Sequence, residues 1–209
     1  MKGKRFKYLI ILFFAAALSN INAQENKTEN WFQRHFDQRI YLGFYDSFGD
    51  EKVNILQAGY DAVINLIDIS PAWHLLDLSL GLDVLIARDQ LTKETKDNFG
   101  HTRHTENRII PGFEANWACR LYFLNIPKIK TSLFIEGLGM TFAVFAKPYP
   151  DTGTRVNIGT HLGLGMKFQI NELLNGYATA RVFSHFSNGQ AEENNPALDL
   201  AGLIIGLQF

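Results

Sequence analysis

The sequence predicts an all-β protein, an eight-stranded antiparallel barrel that spans a membrane after a cleaved signal peptide. Three observations carry this prediction: long runs that alternate apolar and polar residues, an N-terminus with the features of an export signal, and no later apolar run of helical-span length. A period of two is the pattern of a strand, because successive side chains point to opposite faces. An export signal combined with long alternating runs is typical of transmembrane β-barrels.

The N-terminus is predicted to direct export and to be removed. Four basic residues among the first seven precede the apolar stretch 8–18, which is too short to cross a bilayer. Cleavage is expected after Ala23. The predicted organisation is therefore a signal peptide over 1–23, an N-terminal periplasmic segment over 24–37 and a barrel over 38–209.

The net charge limits the class of partner, and the cysteine content limits disulfide formation. The whole chain carries a formal charge of −1, and loss of the four basic residues of the signal, which has no acidic ones, leaves about −5. An acidic chain with scattered Lys and Arg argues against a nucleic-acid partner. Cys119 is the single cysteine, so no internal disulfide is expected.

Two runs show the alternation most clearly. Over 75–87 an unbroken row of Leu, Val and Ile faces one side, with Asp, Ser and Gly on the other. Over 156–170 apolar residues alternate with Gly, Asn, His and Lys. Alternation alone also fits a water-soluble sandwich that hides its apolar face. Run lengths near twelve residues, the export signal and the terminal Phe209 favour a membrane barrel.

Read this way, the chain contains eight strands. An even number suits a bacterial barrel, and eight strands enclose a lumen small enough to be filled by side chains. Alternation predicts an interior polar network that includes Asp77, Asp83, Glu114, Arg120, His161 and Lys167. The predicted strands are 38–47, 53–67, 74–87, 108–124, 131–145, 156–170, 176–187 and 198–209.

The segment 88–106 is predicted to be the longest loop at the outer end of the barrel. It contains His101 and His104, three residues apart. Without a helical pattern or a nearby cysteine, these histidines are expected to be solvated rather than to bind a metal.

The candidate site lies at the end of the seventh strand. His185 and Ser187 are two residues apart and would share a face, and Asp199 follows on the last strand. In a barrel with periplasmic termini, all three residues reach the outer rim. A serine becomes nucleophilic when an imidazole takes its proton, and an acid orients that imidazole. The residue types therefore fit a serine hydrolase.

The block His185-Phe186-Ser187-Asn188-Gly189, followed by Asn195-Pro196-Ala197-Leu198-Asp199 and a strand to a terminal Phe, resembles the lipid A 3-O-deacylase (PagL-type) family. The resemblance implies an eight-stranded barrel of the bacterial outer membrane that hydrolyses the ester-linked acyl chain at position 3 of lipid A. It assigns Ser187 as nucleophile, His185 as general base and Asp199 as the acid that orients it. Lipopolysaccharide in the outer leaflet would be the substrate.

Two features of the block differ from the family pattern. Asp199 is one methylene shorter than the family's Glu, and Asn188-Gly189-Gln190 stands where the family has Asn-Ala-Gly. The expected oxyanion donors are Asn188 and the backbone N–H of Gly189 or Gln190. Acyl transfer of this kind requires neither metal nor cofactor.

Alternative interpretations stay open at the level of sequence. The chain also fits a non-enzymatic outer-membrane barrel with a structural or partner-binding role, in which His185 and Ser187 are polar strand-end residues before an Asn-Gly turn. Strict alternation further places Arg181 on the same face as His185. Either a β-bulge separates the two, or Arg181 lies inside and the site is less regular. The sequence does not decide whether the chain forms a homodimer.

Overall fold

The computed structural model describes the backbone of residues 35–48, 53–70, 73–97, 100–150, 153–187 and 198–209. The predicted signal peptide 1–23 and most of the predicted segment 24–37 lie outside these residues. Within them, no helix has the length and apolar character needed to cross a membrane. The eight strands are β1 (Phe36–Ser47), β2 (Asn54–Ser70), β3 (Trp73–Asp97), β4 (Gly100–Ile126), β5 (Thr131–Tyr149), β6 (Thr154–Asn171), β7 (Leu174–Ser187) and β8 (Leu198–Gln208).

The strands close into a barrel in sequence order, which confirms the predicted fold class. Each strand is antiparallel to its neighbours, and β1 pairs with β8 to complete the ring. The backbones of Gln38 and Phe209 exchange two hydrogen bonds of 2.8 and 2.9 Å, so both ends of the barrel chain lie at the same rim. We call the opposite rim the outer end, following the usual orientation of outer-membrane barrels.

The largest departure from the predicted strand limits concerns the segment 88–106. It is a continuation of β3 and β4 rather than a loop, with paired residues from Asp89↔Arg108 to Asp97↔Gly100. The loop prediction is wrong because the segment is polar on both faces, so it lacks the alternation that marks a strand buried on one side. At the other end of the chain, β1 begins at Phe36, two residues before the predicted barrel boundary.

The outer face is apolar, as the alternation predicts. Exposed large side chains project from every strand, including Phe44, Leu56, Leu82, Phe113, Phe142, Leu162, Val182 and Leu203. A soluble sandwich would bury such a surface, whereas a barrel in lipid presents it to acyl chains. The closed ring and its apolar exterior therefore agree with a membrane barrel.

The interior is filled in two layers. Toward the outer end, a packed apolar cluster contains Val53, Ile55, Leu85, Ala87, Ile110, Phe145, Tyr149, Leu198 and Leu200. Below it lies the predicted polar layer, and Asp77, Asp83, Glu114, Arg120 and His161 are all at most 5% exposed. Hydrogen-bonded polar groups are stable in such an interior because each one replaces its lost water with a protein partner.

We expect Leu82→Arg to destabilise the barrel by about 2–4 kcal/mol, because it places a charge on the lipid face in the middle of a strand. Leu82 is 70% exposed and pairs with Ala115 and Tyr60. The matched control is Ile109→Arg, since Ile109 is similarly exposed but lies near the outer rim, where the cost falls to about 0–1 kcal/mol. Reversible urea unfolding in phospholipid bilayers measures both, and equal costs would contradict the assigned membrane level.

Candidate functional site

The site residues predicted from sequence fall on two neighbouring strands. His185 and Ser187 belong to the last part of β7, and Asp199 is the second residue of β8. Both strand ends lie at the outer end of the barrel, as predicted. The predicted oxyanion donors Asn188 and Gly189, with Gln190, lie outside the residues that the structure describes.

The register of β7 changes just before its end. Against β6, the pair Thr160↔Ser184 is followed by Ile158↔Ser187, so three steps on β7 match two on β6. Against β8, Phe183↔Leu200 is followed by Phe186↔Leu198, with the same excess of one. One extra residue in one strand, seen from both neighbours, is a β-bulge.

The bulge reverses which face each later residue of β7 occupies. Before it, Arg181 is an interior residue, 2% exposed. After it, position 187 pairs with Ile158, an outward residue that is 41% exposed, whereas position 186 pairs with the buried Leu198. Directly paired residues share a face of a sheet. The backbone register therefore assigns position 187 to the outer face, although strict alternation from Arg181 would place it inside.

Asp199 lies opposite the bulge on β8. Its neighbours Leu198 and Leu200 are buried and pair with positions 186 and 183, so Asp199 faces positions 184 and 185 of β7. The side chain of Asp199 is exposed on the outer face. Its backbone carbonyl accepts a 3.0 Å hydrogen bond from the amide of Phe48, which ties this end of β8 to β1. The register thus places Asp199 and position 187 on the same face of the sheet, and position 185 falls within the bulge opposite Asp199.

Beneath this part of the outer face lies an ion-pair cluster that sequence reasoning missed. Glu136 is fully buried, and its two carboxylate oxygens accept hydrogen bonds from the Nε atoms of Arg120 at 2.8 Å and of Arg181 at 2.7 Å. Nε2 of His161 lies 3.5 Å from the same carboxylate. Glu136 stands two residues after the inward Phe134 on β5, so continuing the alternation along β5 is the signal that would have found it.

Other candidate residues are not brought together. His101 and His104 lie on β4, where their backbones are paired with Lys96 and Lys93 respectively. Asp77 is the register partner of Arg120, but the ion pair of Arg120 is with Glu136. Asp77 accepts a 2.8 Å hydrogen bond from the hydroxyl of Tyr122, and Asp83 accepts one of 2.6 Å from Tyr41. These hydrogen bonds belong to the polar side chains that fill the lumen, and they do not define a second site.

A closed eight-stranded antiparallel barrel with an apolar exterior defines a β-barrel of the outer-membrane type. The family model for lipid A 3-O-deacylase (PagL) matches residues 96–208, which is more than half of the chain and includes β7 and β8. The chain belongs to the lipid A 3-O-deacylase family, and it is accordingly an outer-membrane protein of the lipid A deacylase class.

The solved structures that are similar to this chain share little sequence identity with it. The outer membrane enzyme PagL is 14% identical over 82% of this chain and 98% of that chain, with a TM-score of 0.48. The N-terminal β-barrel domain of Pseudomonas aeruginosa OprF is 14% identical over 83% and 97%, with a TM-score of 0.39. The Yersinia pestis attachment invasion locus protein Ail is 11% identical over 84% and 97%, with a TM-score of 0.35. No curated protein matches the sequence.

Proposed function

We propose that this protein is a serine esterase that removes the 3-O-linked acyl chain from lipid A in the outer leaflet. In this proposal Ser187 is the nucleophile, His185 is the general base and Asp199 orients the imidazole. The observation that supports it is the bulge in β7, since it turns position 187 to the outer face and lies directly opposite Asp199. The match of the family model over 96–208 supports the same reaction class.

The proposed chemistry is acyl transfer to serine and then to water. The Ser187 hydroxyl attacks the ester carbonyl carbon while His185 accepts its proton, and the carbonyl oxygen becomes an oxyanion. Asn188 and the backbone N–H of Gly189 or Gln190 would donate hydrogen bonds to that oxyanion. Collapse breaks the ester bond, and His185 returns the proton to the departing sugar oxygen. A water molecule, deprotonated by His185, then releases the fatty acid and regenerates Ser187.

The surface beside the site is suited to an acyl chain. A depression of about 410 Å³ on the outer wall is lined by Leu80, Trp117, Met140, Phe142 and Ile158, among others. Ile158 is the residue paired with Ser187, so the depression begins next to the nucleophile position. An apolar surface at this place is suited to a lipid substrate. The site would then reach the ester bond of that substrate from within the membrane.

Mass spectrometry of lipid A tests the proposed reaction. The full chain is expressed in a Gram-negative host whose lipid A keeps its 3-O-linked hydroxyacyl chain, and the expected result is a new lipid A species that lacks one such chain. Release of the free hydroxy fatty acid should accompany it. Unchanged lipid A in cells with a correctly folded barrel would contradict the proposal and favour the non-enzymatic barrel.

We expect Asp199→Ala to lower kcat by up to about 10⁴-fold, because an unoriented imidazole takes up the wrong tautomer or rotamer. Asp199→Glu restores the acid typical of the family and should keep most of the activity. Rates of fatty-acid release from purified lipid A in detergent measure both variants. A wild-type rate for Asp199→Ala would remove Asp199 from the proposed triad without excluding Ser187 and His185.

A further inference from the structure

Acids outnumber arginines in the polar layer of the barrel. Among the residues that the structure describes, these buried side chains are Asp61, Asp77, Asp83, Glu114 and Glu136, with Arg39, Arg120 and Arg181. Arg39 forms its ion pair with Asp61, whereas two arginines share the carboxylate of Glu136. A charge in a low-dielectric interior is costly unless it is compensated. Some of the remaining acids are therefore expected to be neutral.

Asp83 and Glu114 form a carboxyl pair within this layer. They are direct register partners on β3 and β4, and both face the lumen. Their carboxyl groups are in hydrogen-bond contact. Nε2 of Gln57 donates to both of them, at 2.6 Å to Asp83 and at 3.1 Å to Glu114. A carboxylate has no hydrogen to donate, so a hydrogen bond between two carboxyl groups requires that one of them be protonated.

The orientation of the Gln57 amide follows from a chain of directional contacts. Nη1 of Arg181 donates a 3.3 Å hydrogen bond to the hydroxyl of Tyr45, and an arginine can only donate. Tyr45 therefore uses its own hydrogen for Oε1 of Gln57, at 2.8 Å. The amide NH2 of Gln57 is thus turned to the two acids and offers one hydrogen to each. Because both hydrogens are used in this way, Gln57 does not supply the hydrogen between the acids.

The donors around the pair show which acid holds the proton. Asp83 accepts from the hydroxyl of Tyr41 at 2.6 Å and from Nδ2 of Asn116 at 2.5 Å, in addition to Gln57. Hydrogen bonds donated to a carboxyl group favour its charged form. Three such donors make Asp83 the carboxylate. Glu114 is then the member of the pair that carries the proton and donates it to Asp83.

The charged groups that face the pair come from three other strands. Asp61 on β2 adds a negative charge and Arg181 on β7 a positive one. Tyr41 and Tyr45, on β1, face the pair as neutral hydrogen-bonding groups. Arg181 is already bound to Glu136 through a 2.7 Å hydrogen bond, so its charge is shared with that carboxylate. A proton on the pair lowers the negative charge that these surroundings have to compensate.

We infer that Asp83 and Glu114 form a proton-binding site inside the barrel, in which one proton on Glu114 is shared with Asp83 at neutral pH. The bound proton joins β3 to β4 by a hydrogen bond and removes one negative charge from the lumen. In the unfolded chain an isolated glutamic acid is ionised at neutral pH. Folding therefore takes up one proton, and the proton contributes less to the stability of the barrel as pH rises. This proton site is independent of the proposed triad.

Urea unfolding in phospholipid bilayers at a series of pH values measures the proton uptake. Between about pH 5.5 and about pH 7, we expect the unfolding equilibrium constant of wild type to rise at least tenfold relative to that of Glu114→Gln. The comparison cancels the histidines, which titrate in the same range in both proteins. Asp89→Asn is the matched control, because Asp89 is also buried but is bound by Arg108, and its pH profile should follow wild type.

Each other outcome of this comparison contradicts the inference. Parallel pH profiles for wild type and Glu114→Gln would mean that the pair takes up no proton on folding. Gln has nearly the shape of protonated Glu and donates the same hydrogen to Asp83, so a Gln variant that does not fold would also be contrary evidence. If sodium or calcium ions stabilise wild type and not Glu114→Gln, a cation rather than a proton compensates the pair.

Infrared spectroscopy detects the proton directly. In a detergent without ester groups, folded wild type at neutral pH should show the C=O stretch of a protonated carboxylic acid, and this band should shift in D2O. The band should appear in the difference spectrum between wild type and Glu114→Gln and be absent from the difference between wild type and Asp89→Asn. Its absence from the first difference spectrum would overturn the inference. Neither measurement uses deacylase activity, so a failure of the proposed function would leave both results unaffected.

Discussion

Ser187→Ala and His185→Ala are each expected to reduce lipid A deacylation by roughly 10⁴-fold or more, because in a serine hydrolase the nucleophile and its base act as one unit. Both residues lie in the last part of β7, so both variants should fold like wild type. The measurement is the rate of hydroxy fatty acid release from purified lipid A by detergent-solubilised protein. The double variant should be no slower than either single variant, since their effects are not additive.

Ser184→Ala is the control for this pair. Ser184 is also a serine at the bulge, but it pairs with Thr160 on the other side of the extra residue. Its replacement should leave kcat within about threefold of wild type, as expected for a residue that takes no part in bond breaking. A loss at Ser184 with full activity at Ser187 would move the nucleophile to the other serine.

Glu136→Ala is expected to lower the free energy of unfolding by about 3–5 kcal/mol, because it leaves two buried guanidinium groups without their carboxylate. Arg120 and Arg181 both bind Glu136 within 2.8 Å, and both guanidinium groups are buried. Urea unfolding of the barrel in phospholipid bilayers, followed by tryptophan fluorescence, measures the change. A cost below about 1 kcal/mol would mean that the cluster contributes little beyond packing.

Glu114→Gln is the contrasting control, with the opposite sign expected. Glu114 is buried beside Asp83, and Nε2 of Gln57 donates to both carboxylates, at 3.1 and 2.6 Å respectively. An amide in place of one of two adjacent buried carboxyl groups excludes like-charge repulsion between them and keeps a hydrogen-bond acceptor. The Gln variant should therefore be as stable as wild type or more stable by about 1 kcal/mol.

The fold could be predicted because the two faces of a membrane barrel differ in polarity, and this difference appears in the sequence as an alternation of apolar and polar residues. Leu80 and Leu82 face lipid while Asp77 and Asp83 face the lumen, and a period of two is sufficient to assign them. The ribbon formed by the ends of β3 and β4 was not predicted because its sequence is polar on both faces. Beyond Arg88 neither face has to be apolar, so its strands are set by cross-strand pairing that no local pattern reveals.

The site could be predicted only in part. The spacing of His185 and Ser187 and the position of Asp199 suggested the chemistry, and the conflict at Arg181 left two interpretations open, of which one was a β-bulge. The partner that holds Arg181 inside was out of reach, because Glu136 lies 45 residues earlier in the chain and meets Arg181 only when the ring closes. Another backbone irregularity, the positive φ of 52° at Leu138, is likewise not predicted by the alternation in the sequence.

The extra residue in β7 has a consequence for how such a surface can arise and be lost. An in-frame change of a single codon between positions 183 and 187 would exchange inside for outside at the strand end and leave the rest of the wall unaltered. Inert and reactive versions of one barrel can thus be neighbours in sequence space, separated by the length of the strand rather than by the identity of its residues. Alignments of related chains should accordingly be compared for length in this interval before they are compared for residue type.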